Sequence, residues 1–247
     1  MRVPENLERE PLVDALFEVR LSEATSIADI LPGILFQDYG SQAKITRLPA
    51  AELPRDVRAS DQKLQYAPIV RIELEWYLVS VGDRSVMINC KLPYPKWKNF
   101  KAEILGILAR IASLNVASNV ERYSLKYINL IQAPTIPEQV SKINMSIRLG
   151  DVNVSNDHAN IQVHHKENDI IHILSTVVGA QGNLANGQAV FGTILDIDSI
   201  REFDPVEFVA FEKGLEPGLE VLRQANKQNF FACLTQDAID EMGPTYA

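Results

Sequence analysis

Apolar and polar residues alternate along several stretches of the chain, and this alternation predicts β-strands. Residues 11–21, PLVDALFEVRL, carry an apolar side chain at every second position and mainly charged side chains between them. A period of two residues is typical of a strand with one buried face. The same period at 69–81, followed by the turn residues 82–83 and a return strand at 85–92, predicts a hairpin. The residues expected on its apolar face are Val70, Ile72, Leu74, Trp76 and Leu78.

Apolar residues spaced three or four positions apart predict helices. The clearest helix is expected over 97–114, and its apolar stripe consists of Trp97, Phe100, Ile104, Ile107, Leu108, Ile111 and Leu114. A shorter helix at 26–40 is expected to be interrupted at Pro32-Gly33. A third helical region should follow Asp204-Pro205, which reads as an N-cap and a first-turn proline, and extend to about Lys227. Breaks or kinks are expected in it at Gly214, Pro217 and Gly218.

The remaining strands are predicted from the same alternation. They lie at 121–131, 142–149, 160–166, 170–178 and 189–200, and the third and fourth of these form a hairpin. Residues 41–67, which are polar and rich in proline, and residues 179–188, which are rich in glycine, are expected to be irregular.

The order of these elements predicts an α+β fold. Two prolines in APTIPEQ, residues 133–139, predict a linker between a β-α half at 1–132 and a hairpin-helix half at 140–247. Each half contains consecutive antiparallel strands followed by a helix, which favours a mainly antiparallel sheet with helices packed on one face. The halves are either two related β-rich units or parts of one compact domain.

Composition and charge narrow the class of protein. The sequence carries 32 acidic and 24 basic residues, a formal net charge of −8, and a diffuse negative charge gives no attraction to nucleic acid or anionic lipid. No apolar run approaches the roughly 18 residues of a membrane-spanning helix, and the charged first residues lack the apolar core of a signal peptide. We therefore expect a cytoplasmic protein in which Cys90 and Cys233 are buried free thiols.

Three of the four histidines lie in one short stretch, VHHKENDIIHIL, residues 163–174. If residues 168–169 form the turn of the hairpin, His165 faces His172, and directly opposed Cβ atoms lie about 4.5–5.5 Å apart. Two imidazoles at that separation could bind zinc with additional ligands. A shift of one residue in the register would place His164 opposite His172 instead. The alternatives are a polar, solvent-facing sheet surface and a pH-sensitive contact.

Asp196 and Asp198, in the segment LDIDS, are the best candidates for divalent-ion chemistry. On a strand they share one face about 6.5–7 Å apart. Paired carboxylates bind magnesium or act as a general acid and base, so a metal-dependent hydrolase or nuclease would use this pair, with His165 and His172 as further ligands. The alternative is a pair of solvated carboxylates at the wet face of a strand. The glycines at 179–188 match no phosphate-binding loop.

Aromatic residues concentrate at the start of the predicted helix 97–114. Tyr94, Trp97 and Phe100 follow one another at intervals of three residues. Tyrosine and tryptophan are frequent anchors of protein–protein interfaces. The alternative is that these rings seat the helix on the sheet.

Five segments occur in order along nearly the whole chain: PLVDALFEVRL, LPYPKWKNF, ERYSLKYINLI, LDIDS and ANKQNFFACLT. The positions that carry the pattern are Pro11, Phe17, Glu18, Tyr94, Trp97, Phe100, Arg122, Tyr127, Ile128, Asn129, Asp196, Asp198, Asn229 and Phe230. Together the segments resemble a sporadically distributed family of uncharacterised bacterial proteins of about this length. The helix predicted after Asp204-Pro205 departs from that pattern, because Gly214 and Pro217 argue against a single long packing helix.

The resemblance implies a biological setting rather than a reaction. A patchy distribution is typical of mobile anti-phage defence and toxin–antitoxin genes. Combined with the aromatic cluster, the matching positions nominate five residues as partner-binding candidates, namely Tyr94, Trp97, Arg122, Tyr127 and Asn129.

These observations favour a non-enzymatic accessory, sensor or adaptor subunit of such a system, binding another protein that is encoded nearby. One alternative is a chaperone-like module that binds unfolded clients, and another is a divalent-metal-dependent hydrolase or nuclease using Asp196 and Asp198. The question of enzymatic activity stays open, with the lack of a catalytic constellation weighing against it. No cofactor is expected, homo-oligomers are an open option, and the acidic charge argues against a nucleic-acid partner.

Overall fold

The computed structural model of the protein describes residues 2–153, 157–183 and 189–246. The strands are β1 (Asn6–Leu7), β2 (Leu12–Leu21), β3 (Lys44–Arg47), β4 (Pro68–Glu73), β5 (Tyr77–Gly82), β6 (Ser85–Cys90), β7 (Val120–Gln132), β8 (Arg148–Leu149), β9 (Val152–Asn153), β10 (Ala159–Glu167), β11 (Ile170–Asn183), β12 (Ala189–Val206) and β13 (Pro244–Thr245). The helices are α1 (Ile27–Tyr39), α2 (Arg55–Ser60), α3 (Lys96–Leu114), α4 (Ile136–Ser141), α5 (Phe208–Ala232) and α6 (Gln236–Glu241), with short 3₁₀ turns at Gly40–Gln42 and Pro49–Glu52.

Nine of the strands form one antiparallel sheet in the order β10-β11-β12-β7-β2-β6-β5-β4-β3. Two separate two-stranded ladders pair β1 with β13 and β8 with β9. Helices pack on the large sheet. The predicted α+β class, with a mainly antiparallel sheet, is therefore confirmed.

The chain divides into two compact units, and each is discontinuous in sequence. Unit 1 consists of residues 1–13, 126–199 and 223–247, and unit 2 of residues 14–125 and 200–222. The segment predicted to link two halves, residues 133–139, lies inside unit 1, where α4 begins. The two prolines do not keep this segment from forming a helix, because Thr135 caps α4 by accepting from the backbone N–H of Glu138, and Pro137 occupies the first helical turn, where no intrahelical N–H bond is lost.

The core of unit 2 lies on one face of its strands. Phe17, Ile88, Val79 and Ile72 stand opposite one another along β2, β6, β5 and β4, and all four are buried. Burying a side chain of this size contributes about 1.5–3 kcal/mol. The predicted helical stripe is confirmed in α3, whose fully buried residues are Phe100, Ile104, Ile107, Leu108 and Ile111.

Unit 1 has its own apolar cluster, built from the ends of α5 and α6 against β7 and β12. Its buried members are Ile131, Ile143, Leu195, Ile197, Phe230, Phe231, Leu234, Ile239 and Met242. The alternation predicted for β12 is confirmed at its centre, where Leu195 and Ile197 are buried and the aspartates between and after them are only half-buried.

The predicted hairpin over 69–92 is wrong in one respect, because it contains three strands instead of two. A tight turn, in which the N–H of Leu74 donates to the carbonyl of Tyr77 (2.9 Å), separates β4 from β5. The turn reverses the phase of the alternation, so Tyr77 is buried and Trp76 is exposed. Trp76 therefore does not lie on the apolar face. The turn predicted at Gly82-Asp83 is confirmed.

The internal proline and glycine residues of α1 and α5 do not interrupt these helices. Pro32 lies inside α1 and Pro217 inside α5. In α1 the buried residues Ile27, Leu31 and Leu35 keep one face packed, and packing of an apolar face supplies most of the stability of a helix in a protein. The prediction of a broken helix is wrong in both places. Asp204-Pro205 also does not begin a helix, since it lies in the last part of β12.

Two other stretches differ from expectation. Residues 41–67 are not irregular throughout, since β3 pairs with β4 and α2 follows. Residues 142–149 do not form one strand. Ile143 makes an isolated bridge with Leu234, and only β8 is extended at the far end. Of the predicted glycine-rich loop, residues 179–183 continue β11 and 184–188 lie outside the described residues.

Candidate functional site

An open groove of about 740 Å³ lies on unit 2 and is called the aromatic groove below. Three segments build it: the turn between β4 and β5, the loop between β6 and α3, and the first two turns of α3. Its lining residues are Trp76, Tyr77, Pro93, Tyr94, Pro95, Lys96, Asn99, Ala102 and Glu103. The N–H of Lys91 donates to the carbonyl of Trp76 (2.8 Å), which holds the turn beside the loop.

One buried ring organises the aromatic side chains of this region. Phe100 is completely buried, and the ring centroids of Tyr77, Tyr94 and Trp97 lie 6.3, 6.3 and 6.2 Å from its own. Tyr77 stacks on Phe100, whereas Tyr94 and Trp97 meet it edge to face. Such arrangements are favourable for aromatic pairs. The walls of the aromatic groove are therefore fixed by the core of unit 2.

Large apolar side chains are exposed around the aromatic groove. Trp76 is 45% exposed and Leu92 is 53% exposed. Apolar side chains that are exposed side by side can form an interaction surface, whereas single exposed ones are common on any protein. An aromatic ring beside a concave surface is also the usual anchor of a protein interface.

A half-buried carboxylate, Glu103, gives the aromatic groove a negative charge. Tyr39 donates a short hydrogen bond to Glu103 (Oη to Oε1, 2.6 Å). Burial raises the pKa of Glu103, and the hydrogen bond from Tyr39 acts in the opposite direction. Burial, followed by the charge of Glu103, raises the pKa of Tyr77 to about 12. Within the described residues, no basic side chain forms an ion pair with Glu103.

The backbone is unusual where the loop meets α3. Lys96, the first residue of α3 and a lining residue of the aromatic groove, has φ of 70°. A positive φ is uncommon for a residue with a long side chain, and such conformations cluster at functional sites. The loop thus reaches α3 by an abrupt turn that presents Tyr94 to the groove.

The predicted partner-binding residues do not all belong to this surface. Tyr94 lines the aromatic groove, as the partner hypothesis requires. Trp97 instead donates from Nε1 to both carboxylate oxygens of Glu220 on α5 (3.2 and 3.0 Å). Lys101 pairs with the same glutamate (2.7 Å). Trp97 therefore joins α3 to α5, a structural contact that differs from the expected seating of the helix on the sheet.

Arg122, Tyr127 and Asn129 lie on β7. The guanidinium of Arg122 lies 3.7 Å from the buried carboxylate of Glu18. Tyr127 is buried beneath the guanidinium of Arg223, 4.7 Å from the ring centre. Asn129 is also buried. Tyr127 and Asn129 are therefore buried in the packed interior, whereas Arg122 is half-buried.

The predicted histidine register is confirmed. His165 stands directly opposite His172, their rings stack with centroids 6.4 Å apart, and Asn168 adopts the positive φ that the tight turn needs. The two rings differ in environment, since His165 is exposed and His172 is completely buried. The description of the hairpin face as solvent-facing is therefore wrong for His172.

A buried polar network explains the position of His172. Asn226, on α5, donates through its side-chain nitrogen to the carbonyl of Ile197 and to Oγ of Ser199 (both 2.9 Å). Ser199 Oγ lies 2.9 Å from Nδ1 of His172. Ser199 Oγ can accept from Nδ1 or donate to it while it accepts from Asn226. Nε2 of His172 is buried and has no hydrogen-bond partner within the described residues, so a charged imidazole, which carries a hydrogen on both ring nitrogens, would bury an unpaired N–H, and the neutral ring is favoured.

Acidification should destabilise the protein through His172. Burial is the main cause of the lowered pKa of His172; the charge of Glu167 opposes the shift and His165 adds to it. The unfolded chain then binds the proton more readily, so the free energy of unfolding should fall as the pH drops below about 6.5, by at most about 1.4 kcal/mol per pH unit. Urea denaturation between pH 5 and 8 should show this loss.

A pair of variants isolates the contribution of His172. His172→Gln should flatten the pH dependence below neutrality, although it lowers the overall stability. His164→Gln is the matched control, because His164 is exposed and contacts only Gln162 within the described hairpin. If His172→Gln keeps the full pH dependence of the natural protein, the buried network is not its source.

The aspartate pair is not part of a metal cluster. Lys126 Nζ lies 2.8 Å from Oδ2 of Asp196, so this carboxylate already has a cationic partner. Asp198 is half-buried two residues later on β12. Across residues 2–153, 157–183 and 189–246, no three histidine, cysteine or acidic side chains are grouped closely enough to hold a metal ion. The described structure does not combine Asp196 and Asp198 with His165 and His172 in one site.

The two cysteines lie in apolar surroundings. Cys90 is buried and Cys233 is partly buried, and burial raises the pKa of both thiols. A thiol with a raised pKa is a poor nucleophile at neutral pH.

None of the helices in the described part of the chain combines the length and the hydropathy needed to cross a membrane.

Four residues of the aromatic groove region were missed by the sequence analysis: Tyr39, Trp76, Tyr77 and Glu103. Trp76 was assigned to the apolar face because the turn that contains it, closed between Leu74 and Tyr77, has no glycine, proline or asparagine. Glu103 did give a signal, since it lies between Phe100 and Ile104 at the margin of the buried stripe. A carboxylate at such a position is partly desolvated.

Comparison with known proteins adds no family assignment, since no family model matches the sequence and a search of curated proteins finds no match.

Proposed function

We propose that this protein is a non-enzymatic binding subunit that captures a segment of a partner protein in the aromatic groove. The observation that carries the proposal is the exposed Trp76 beside a groove whose other aromatic walls are fixed by buried Phe100. A rigid, partly apolar cleft binds with little loss of side-chain entropy. The resemblance described above supports placing the complex in a bacterial anti-phage defence or toxin–antitoxin-type system.

The groove supports recognition of an extended segment rather than of a folded surface. Its openness along the β4–β5 turn and the loop before α3 suits a chain that lies across several rings. Extended peptides commonly bind in aromatic-lined grooves. A chaperone-like role would use the same surface, but with many unrelated clients and no fixed stoichiometry.

Replacing Trp76 by alanine should abolish partner binding without unfolding the protein. An exposed aromatic anchor typically contributes 2 kcal/mol or more to an interface, which corresponds to a loss of about 30-fold or more in affinity. We would introduce a photo-crosslinking residue at position 94 in the source cell and identify the crosslinked protein and its contact segment. The binding constant of that protein would then be measured for Trp76→Ala.

Tyr246→Ala provides the control, because Tyr246 is also an exposed aromatic residue but lies near the end of unit 1. It should bind the crosslinked partner with unchanged affinity. Retention of the partner by a Trp76→Ala/Tyr94→Ala double variant that is folded would reject the groove as the binding surface. Crosslinking to many unrelated proteins would favour the chaperone-like alternative instead.

The metal-dependent hydrolase remains a second prediction with less support, because Asp196 is engaged by Lys126. Binding of manganese that is lost on the double replacement of Asp196 and Asp198 by asparagine would revive it.

A further inference from the structure

We infer that the aromatic groove recognises a cationic side chain, arginine or lysine, presented by an extended segment of the partner, with Glu103 as its counter-charge. This inference rests on the proposed function and deepens it. It specifies the chemistry of the captured segment and assigns a specificity-determining role to Glu103.

The first observation that supports this inference is the position of Glu103. Its carboxylate is half-buried on α3 at the wall of the groove, and Oε1 accepts from the hydroxyl of Tyr39 (2.6 Å). This hydrogen bond holds one carboxylate oxygen, and no hydrogen bond or ion pair within the described residues engages Oε2. Withdrawing a carboxylate from water without a cation is unfavourable. A basic side chain of a partner would supply the missing charge.

The neighbouring cations of unit 2 are already engaged with other carboxylates. Lys91 pairs with Glu73 (2.7 Å), Arg110 with Asp38 (2.9 Å), and Lys101 with glutamates of α5. Lys96 is the cationic member of the lining residues, and it is exposed at the start of α3. Lys96 carries the same positive charge as the inferred ligand, so it repels the ligand and lowers the affinity of the groove for it.

The aromatic rings are the second observation. Trp76, Tyr77 and Tyr94 line the same groove as Glu103. The face of an aromatic ring attracts a cation, and tryptophan does so most strongly. A guanidinium also stacks on such rings while it forms hydrogen bonds with a carboxylate. Rings and carboxylate together therefore favour a cationic side chain over a neutral one of the same shape.

A peptide segment, rather than a free small molecule, fits the size of the site. A cavity of about 740 Å³ that is open to solvent is larger than one side chain requires. The exposed Leu92 and Trp76 extend the apolar surface beyond Glu103. The residues that flank the basic side chain would cover this surface.

The chain provides its own reporter for a direct test. It contains two tryptophans, so Trp97→Phe leaves Trp76 as the only one. We would titrate this variant with N-acetyl-arginine amide and with N-acetyl-citrulline amide, which has the same shape without the charge, and follow Trp76 fluorescence at low salt. The arginine probe should bind at least tenfold more tightly.

Further substitutions in the same background identify the counter-charge. Glu103→Gln should weaken binding of the arginine probe at least tenfold and remove the preference over citrulline. Lys96→Met should strengthen it. Equal binding of both probes, no saturable response to the arginine probe, or an unchanged affinity in Glu103→Gln would overturn the inference.

The crosslinked partner separates this inference from the proposed function. If Trp76→Ala abolishes partner binding while Glu103→Gln leaves it intact, the proposed function stands and cation recognition falls. If the partner binds the Trp76→Ala/Tyr94→Ala variant, the proposed function falls whatever the probes do. Loss of partner binding in both Trp76→Ala and Glu103→Gln supports the two together.

Discussion

Replacing Phe100 by alanine is expected to lower the free energy of unfolding by about 3–5 kcal/mol, the usual cost of removing a buried phenylalanine ring. Phe100 is completely buried and contacts three other aromatic rings. Its removal leaves a cavity, and the three neighbouring rings cannot fill it without moving from their positions. Urea denaturation followed by circular dichroism would measure the loss as a lower midpoint at an unchanged slope.

Phe36→Ala is the matched control, because the same residue type is 48% exposed on α1. We expect a change within about 0.5 kcal/mol for this variant. Similar losses for Phe36→Ala and Phe100→Ala would contradict the assignment of Phe100 to the core. A Phe100→Leu variant should lose less and should partly retain partner binding, since the groove walls keep some support.

Replacing Arg58 by methionine should lower the free energy of unfolding by a similar amount, about 3–5 kcal/mol. The substitution breaks a buried ion pair and leaves the carboxylate of Asp83 without its main cationic partner. Arg58 Nε lies 2.7 Å from Oδ2 of Asp83 and Nη2 lies 3.1 Å from Oδ1. Nη1 donates to the carbonyls of Ala50 and Leu53. The hydrogen bond to Asp83 is also the main cause of the raised pKa of Arg58. Methionine keeps the apolar stem but satisfies none of these groups.

A second arginine beside the same carboxylate supplies the control. Arg55 Nε lies 3.9 Å from Asp83, and its side chain is 49% exposed. An exposed pair contributes about 0–1 kcal/mol, so Arg55→Met should be nearly neutral. Chemical denaturation of both variants at one pH would compare them directly. Equal losses for the two variants would show that burial does not determine the strength of these pairs.

Most of the regular elements could be predicted from the spacing of apolar residues. The alternation typical of strands and the three-to-four-residue spacing typical of helices are both clear where one face of the element is buried. The α3 stripe follows directly from apolar spacing, and the β10–β11 register is the one of two alternatives that places the turn at residues 168–169. The turn before Tyr77 could not be predicted in this way, since Leu-Glu-Trp-Tyr contains no residue that favours a turn. Pro32 and Pro217 do not end their helices, because the packing of an apolar face outweighs the local preference of proline.

The candidate site was less accessible to prediction than the fold. The aromatic groove combines a turn, a loop and a helix that are separated along the sequence, and Tyr94 was the only one of its lining residues that the sequence nominated for partner binding. His165 and His172 were placed correctly opposite each other. The burial of His172 depends on Ser199 and Asn226, which no local pattern connects to the hairpin. Long-range contacts of this kind are decided by the tertiary structure.

The discontinuity of the two units constrains how the chain folds as it leaves the ribosome. Unit 2 is complete once residue 222 has been synthesised, whereas unit 1 also needs residues 223–247. The strand β1 meets its partner β13 only then, when Leu7 and Asn6 pair with Pro244 and Thr245. Domains fold as units during synthesis, so unit 1 can complete its fold only after Thr245 of β13 has been synthesised, later than unit 2.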